Sequence, residues 1–377
     1  MIHQRNIFEI ELSFYFITPN YFLNNWMIDQ NSYIWTRMIK SLNQSLRFTG
    51  RHGTLIMPIG VIIGLLFPSL TQLARPIAES VVIAMLIVSV YRLNPKHIKE
   101  KLSDFKIIGA GILWLLLIMP IFTFCIGYLI GIPSGLLAVI TAWSACPPLV
   151  SMPGLAILIG LDGASALLIM IGGTLLFTLT LPLVLSLLIG PSLGLSPASM
   201  ALELIGIVFI SFFLAQGLRW LVGEKHATNS EGSADGILVI LMALFAVTIM
   251  GGFHEALANN PEKLPLFISV AIVISAASQI LNALIFHRLK RKTGGALALA
   301  SGSRNLALLI PIVSGPFGED LWLFIAVIQI PIYFLPIISK PLYQRFTLNV
   351  QEAFEPHEVH LTLATGDKNM VEAKSSI

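Results

Sequence analysis

A lone arginine, Arg304, interrupts the apolar stretch Leu299-Ala300-Ser301-Gly302-Ser303-Arg304-Asn305-Leu306-Ala307-Leu308. Its guanidinium stays charged and presents five N–H donors in a rigid fork that suits a carboxylate or a phosphate. It can equally cap helix-end carbonyls or pair with a structural acid, and these roles can coexist. Ser301, Ser303 and Asn305 complete a small polar patch, in which Asn305 either holds unwound backbone or touches a ligand. A second patch reads Ala145-Cys146-Pro147-Pro148-Leu149-Val150-Ser151-Met152-Pro153-Gly154. Its prolines remove backbone donors and clash with the preceding turn, so no helix runs through it. Pro147, Pro148 and Ser151 are the candidate site residues there. Gln279 and Asn282, three apart, share one helix face, a placement that serves interhelical hydrogen bonds more often than ligand binding. Glu79 and Asp162 lie near helix starts, where the helix dipole favours an acid as a cap.

The elements that must hold these residues are membrane spans. Of 377 residues, 55% are hydrophobic and only 11% charged, with a mean hydropathy of +0.83. Soluble domains carry about 25% charged residues, so a lipid solvent is the simple explanation. Crossing the hydrocarbon core takes about 20 apolar residues. Ten candidate spans follow, over 53–70, 74–92, 106–130, 134–160, 163–189, 198–221, 236–257, 264–286, 295–316 and 320–339. At an intramembrane position an arginine costs about 2.5–3.5 kcal/mol on insertion scales, which marks Arg304 as retained for a role.

Basic residues check the count. Arg37, Lys40, Arg47 and Arg51 precede the first span, and Arg92, Lys96, Lys99, Lys101 and Lys106 follow the second. Arg219 and Lys225 follow the sixth, Arg288, Lys290, Arg291 and Lys292 the eighth, and Lys340, Arg345, Lys368 and Lys374 the last, whereas the other loops hold only Arg75 and Lys263. Positive loops stay in the cytoplasm, so the expected topology places both termini inside, in a bacterial inner membrane. Residues 1–50 form an N-terminal cytoplasmic segment and 341–377 a polar tail. Residues 1–37 show no clean helical period; they suit either an interfacial helix or a start codon placed ahead of Met38.

The interrupted spans are the fourth and the ninth. Each is fourth in its half, if the halves are 51–190 and 198–340. Five spans per half is an odd number, so the halves insert in opposite orientations. Broken helices at matching places in inverted repeats point to a transporter's midplane site, and the backbone they free must line protein or water rather than lipid. The expected fold is therefore an all-α membrane protein of ten helices in two inverted five-helix repeats, with helices 4 and 9 discontinuous. Proline or glycine kinks in ordinary packed helices are the plainer alternative. Gly60 and Gly64 read as a close helix contact.

The layout resembles the bile acid:sodium symporter family, within the wider group of arsenite and auxin carriers. The resemblance covers roughly residues 50–340 and rests on Ala145-Cys146-Pro147, on Gly302 and Asn305, and on Leu158-Ile159-Gly160-Leu161-Asp162-Gly163-Ala164-Ser165-Ala166, which is similar to that family's connection into its fifth helix. It implies a core domain of spans 3–5 and 8–10 moving against a panel of spans 1, 2, 6 and 7. It also implies bound sodium, but the residues depart from the pattern. Met152 and Pro153 stand where sodium-coupled members have Ser-Asn, Ala166 and Met170 where they have hydroxyls, Ala300 where they have glutamate and Arg304 where they have glutamine. Sodium, like other hard cations, wants oxygen ligands, and these side chains offer none. Arg304 is expected to replace the cation, holding the two interrupted segments together and offering its charge to an anion.

The leading expectation is alternating-access transport of a small organic anion, independent of sodium. Sodium- or proton-coupled symport is the alternative, and a channel or receptor-like membrane protein is the reading from another class. No nucleotide loop or paired intramembrane aspartates suggest an enzyme, and His357-Glu358-Val359-His360 lacks metalloprotease spacing. Cys125 and Cys146, both in apolar runs, imply no disulfide framework or zinc site. No cofactor is expected, and no nucleic acid or protein partner; the bilayer and the anion are the expected partners.

Overall fold

Prolines and glycines decide where these apolar stretches stop being helical. The computed structural model describes residues 25–92, 105–190, 196–288, 291–310 and 318–348. Seven helices in it are long and apolar enough to cross a membrane: α3 (Pro68–Tyr91), α4 (Phe105–Leu129), α7 (Gly163–Leu188), α8 (Pro197–Val222), α10 (Glu231–Asn259), α11 (Lys263–Phe286) and α13, whose apolar part is Gly318–Gln344. The rest are α1 (Asn25–Arg51), α2 (Gly53–Leu66), α5 (Ser134–Ala145), α6 (Met152–Leu158), α9 (Glu224–Asn229) and α12 (Arg291–Gly302). Among the described residues there is no strand, and the chain is an all-α protein embedded in a membrane.

The first, fourth and ninth expected spans are the ones without a single long helix. Expected span one is the 14-residue α2. Part of α1 and α2 meet at a bend of 85°, and would count as an eighth crossing if taken together. The junction with α3 falls at Phe67, earlier than the apolar profile suggests. Pro68 disfavours helical backbone in the residue before it, and Phe67 is accordingly extended, with φ −123° and ψ 80°. Helix α1 is amphipathic and runs unbroken through Met38, where the sequence shows no clean period. At the other terminus α13 continues to Leu348, past the expected end of the transporter unit, with Pro331, Pro336 and Pro341 inside it. The stretch His357–His360 lies outside the described residues.

Polar contacts sort into two layers. At one end Arg75 pairs with Glu255 and lies 4.9 Å over the ring of Trp322, while Lys263 pairs with Asp320 at 2.8 Å. At the opposite end Arg92 pairs with Asp235 at 2.6 Å, Arg219 with Glu224 at 2.5 Å, and Arg47 donates to the carbonyl of Asn229. Asp162 caps α7, accepting from the Ala164 N–H and the Ser165 hydroxyl. Between the layers the interior is mostly apolar apart from the polar residues around Arg304, and Gly60 and Gly64 let α2 settle against Ala243 and Met250 of α10.

Candidate functional site

The two interrupted segments meet. Helix α5 ends because Cys146 precedes a proline and is pushed to extended backbone, at φ −70° and ψ 154°. Helix α12 ends at Gly302, which lies directly against the Ser275 carbonyl and the Gln279 side chain of α11, where a Cβ would collide. The unwound stretches then pair as an antiparallel bridge between Pro148 and Arg304. The Leu149 N–H donates to the Ser303 carbonyl at 2.9 Å and the Asn305 N–H to the Pro147 carbonyl at 2.8 Å. Backbone groups freed by one break thus satisfy those freed by the other, as buried amides must be. Pro147 and Pro148 bring no N–H that needs a partner. Residues 139–153 and 293–310 are buried throughout.

Arg304 closes the crossing. It is 1% exposed, and each nitrogen of its guanidinium donates to a carbonyl. Nε reaches Ser301 at 3.0 Å, one Nη reaches Cys146 at 2.9 Å and the other Leu115 at 3.1 Å. Ser301 and Cys146 sit at the C-terminal ends of α12 and α5, where carbonyls lack intrahelical partners. Each such end carries roughly half a negative charge, so the two together offset about one positive charge without a carboxylate. The third acceptor arises inside α4. Residues Trp114–Ile118 form a π turn in which the Met119 N–H goes to the Trp114 carbonyl. Pro120, without an N–H, stands five residues beyond Leu115, and the orphaned Leu115 carbonyl turns to Arg304.

The expected sodium ligands do not fit that ion. Met152, Ala166, Met170 and Ala300 are all buried and supply no side-chain oxygen. The carbonyls of Ser301, Cys146 and Leu115 beside the crossing are taken by the guanidinium.

Of the expected site residues, Pro147, Pro148, Ser303, Arg304 and Asn305 come together at the crossing. Ser301, Gln279 and Asn282 form a neighbouring layer of interhelical bonds. Ser301 donates to the Ser278 carbonyl at 2.8 Å, Asn282 accepts from Trp114 Nε1 at 2.9 Å, and Gln279 accepts from the Tyr343 hydroxyl at 3.2 Å. Ser151 lies apart from these. It lines a cavity of about 100 Å³ between α6, the α1–α2 junction, α3 and α10, together with Arg51, Arg92 and Asp235. Arg51 and Arg92 enter the sequence reading only as markers of a cytoplasmic loop. The place of Arg92 at the cavity depends on contacts with residues 58 and 143 positions away, which no local pattern announces. No protein-family model matches the chain, and no curated protein matches it.

Proposed function

We propose that this protein is a ten-pass secondary transporter of two inverted five-helix halves, carrying a small organic anion by alternating access without sodium. The observation that carries this reading is the crossing of the two broken helices, locked by Arg304 where a coupling ion would otherwise be needed. Half-helices that end against each other at mid-depth are the architecture of carriers that rock around a fixed central site. The two polar layers support ten crossings, because successive helix ends fall alternately in one layer and the other. Basic residues concentrate in the layer of Arg47, Arg51, Arg92 and Arg219, and that layer is assigned to the cytoplasm, with both termini, in a bacterial inner membrane.

A rocking motion needs two bodies, and the contacts suggest where they part. In one layer Gly252 of α10 lies hard against the Trp322 backbone of α13, and Arg75 of α3 covers the Trp322 ring. In the other layer a cavity of about 100 Å³ opens at Ser151 between helices of the two groups. One side closed and the other hollowed is what a single state of an alternating-access carrier requires. A resident guanidinium removes the need to bind a cation before the crossing can form, so the transport cycle runs without one.

Counterflow in vesicles tests this. Protein reconstituted with an internal carboxylate should accumulate the labelled external acid at equal rates in sodium and in choline media. A requirement for sodium overturns the arginine-for-cation mechanism, and unitary currents in place of saturable counterflow would mean a channel.

A further inference from the structure

Each nitrogen of Arg304 already donates to a carbonyl, and a second group of basic residues lines a cavity away from the crossing. The cavity at Ser151 has the features that Arg304 lacks. The Ser151 side chain is 4% exposed, lines the cavity, and its hydroxyl has no hydrogen-bond partner. Arg92 lines the same cavity with its side chain 10% exposed. Its two Nη atoms are engaged, at 2.6 Å each, by Asp235 and the Val150 carbonyl, but its buried Nε has no partner. Both atoms lie just beneath the cavity wall with almost no accessible surface, and each costs about 1–3 kcal/mol while unsatisfied, so a small side-chain shift toward an acceptor in the hollow is favoured. Arg51 adds a second positive charge to the lining against the single carboxylate of Asp235. Net charge and donor count both ask for an acceptor-rich anion.

Size narrows the class. The cavity of about 100 Å³ is smaller than the roughly 150 Å³ space that holds benzene, so a short acid suits its interior better than a bulky one. Apolar neighbours Met57 and Leu155 suit a short hydrocarbon tail behind the charged group. Resting on the transporter reading above, we infer that this cavity is the substrate site and takes a short-chain monocarboxylate, held by Arg92 Nε and the Ser151 hydroxyl. Its position fits the role. Arg92 ties α3 to the unwound Val150, so a carboxylate at Nε sits at the seam between the two bodies that must move.

Gly154 supplies a clean test, because a Cβ added there meets nothing within 4 Å. Gly154→Val should fill the hollow without disturbing the fold. Binding to purified protein is read by calorimetry and thermal shift, with choline propionate as probe and propionamide as its neutral isostere. Wild type should bind propionate and not propionamide; Ser151→Ala should weaken propionate ~10-fold, and Gly154→Val should abolish the binding while melting normally. Arg92→Lys, which keeps a positive charge but loses Nε–H, should weaken it by a similar factor. The site is overturned if propionate fails to bind wild type, if propionamide binds equally, or if Ser151→Ala and Gly154→Val bind as wild type does. Counterflow separates this from the transporter reading. Binding that follows the expected pattern without counterflow leaves the site standing and removes the carrier. Propionate counterflow that survives Gly154→Val does the reverse.

Discussion

Arg304, fully buried, and Arg92, part-buried, bond to the same unwound stretch, and they differ in what remains unspent. Arg304 places all three guanidinium nitrogens on carbonyls, whereas Arg92 leaves Nε bare beside a cavity. The first arrangement is architecture: the charge is matched by helix ends, and no ligand is needed to complete it. The second is recognition, since its valence is completed only from outside. Charge alone, which both residues share, does not separate these roles. The donor ledger does.

The sharpest way to break the distinction is to remove the clamp. Arg304→Gln leaves carbonyls of α4, α5 and α12 without the donor that ties them together, and the cost is expected to be about 3–5 kcal/mol, as for one partner taken from a buried charged cluster. Thermal unfolding and gel filtration in detergent should show a large loss of melting temperature or outright aggregation. Arg304→Lys keeps the charge but reaches fewer carbonyls, and should fall between. A variant Arg304→Gln that melts like wild type and loses only ligand binding would make Arg304 the recognition residue and reverse the comparison.

Glycines test the same contrast through packing. At the crossing, a Cβ on Gly173 of α7 would sit 2.7 Å from the Pro148 Cδ, and a proline ring cannot turn aside. Gly173→Ala should cost about 1–3 kcal/mol, the usual penalty for overpacking. At the cavity, Gly154→Ala meets open space and should gain about 0.5–1 kcal/mol, as alanine does over glycine within a helix. Melting temperatures that move in the same direction for both variants would mean the crossing and the cavity are equally yielding.

What the sequence disclosed follows from how local each determinant is. Uninterrupted apolar runs such as 163–189 and 264–286 reappear within a residue or two as α7 and α11, because about 20 apolar residues can do little else in lipid. The break at Pro147–Pro148 is equally local, being a property of proline itself. Pro68 is as clear a signal, yet the apolar residues on both sides of Pro68-Ser69 mask it, and the expected junction falls several residues late. Arg304 was visible as a charge out of place, but not its partners: the Leu115 carbonyl, 189 residues away, is orphaned only by the π turn and Pro120. The further contacts of Arg92 are hidden for the converse reason. A basic residue at a span's end satisfies a topology rule so well that nothing prompts a second role, and its partner Asp235 lies 143 residues on.

Two serines offer the finest discrimination, with the smallest expected effects. The Ser301 hydroxyl lies 2.8 Å from the Ser278 carbonyl and 2.6 Å from that of Ala298, so it binds α12 to α11 beside the crossing. A single proton serves one acceptor at a time, and Ser301→Ala should therefore cost about 1 kcal/mol, the net worth of one neutral hydrogen bond. The Ser151 hydroxyl is buried with no partner, so in the unliganded protein it contributes desolvation cost and no bond. Removing it should leave the unliganded melting temperature unchanged or slightly raised, since burying an unsatisfied hydroxyl is itself unfavourable. With saturating propionate the order should invert: ligand stabilises the Ser301→Ala protein by as much as wild type, and the Ser151→Ala protein by less. Equal losses in the unliganded state would mean that Ser151 is structural after all, and that the cavity beside it is a packing defect with no ligand to await.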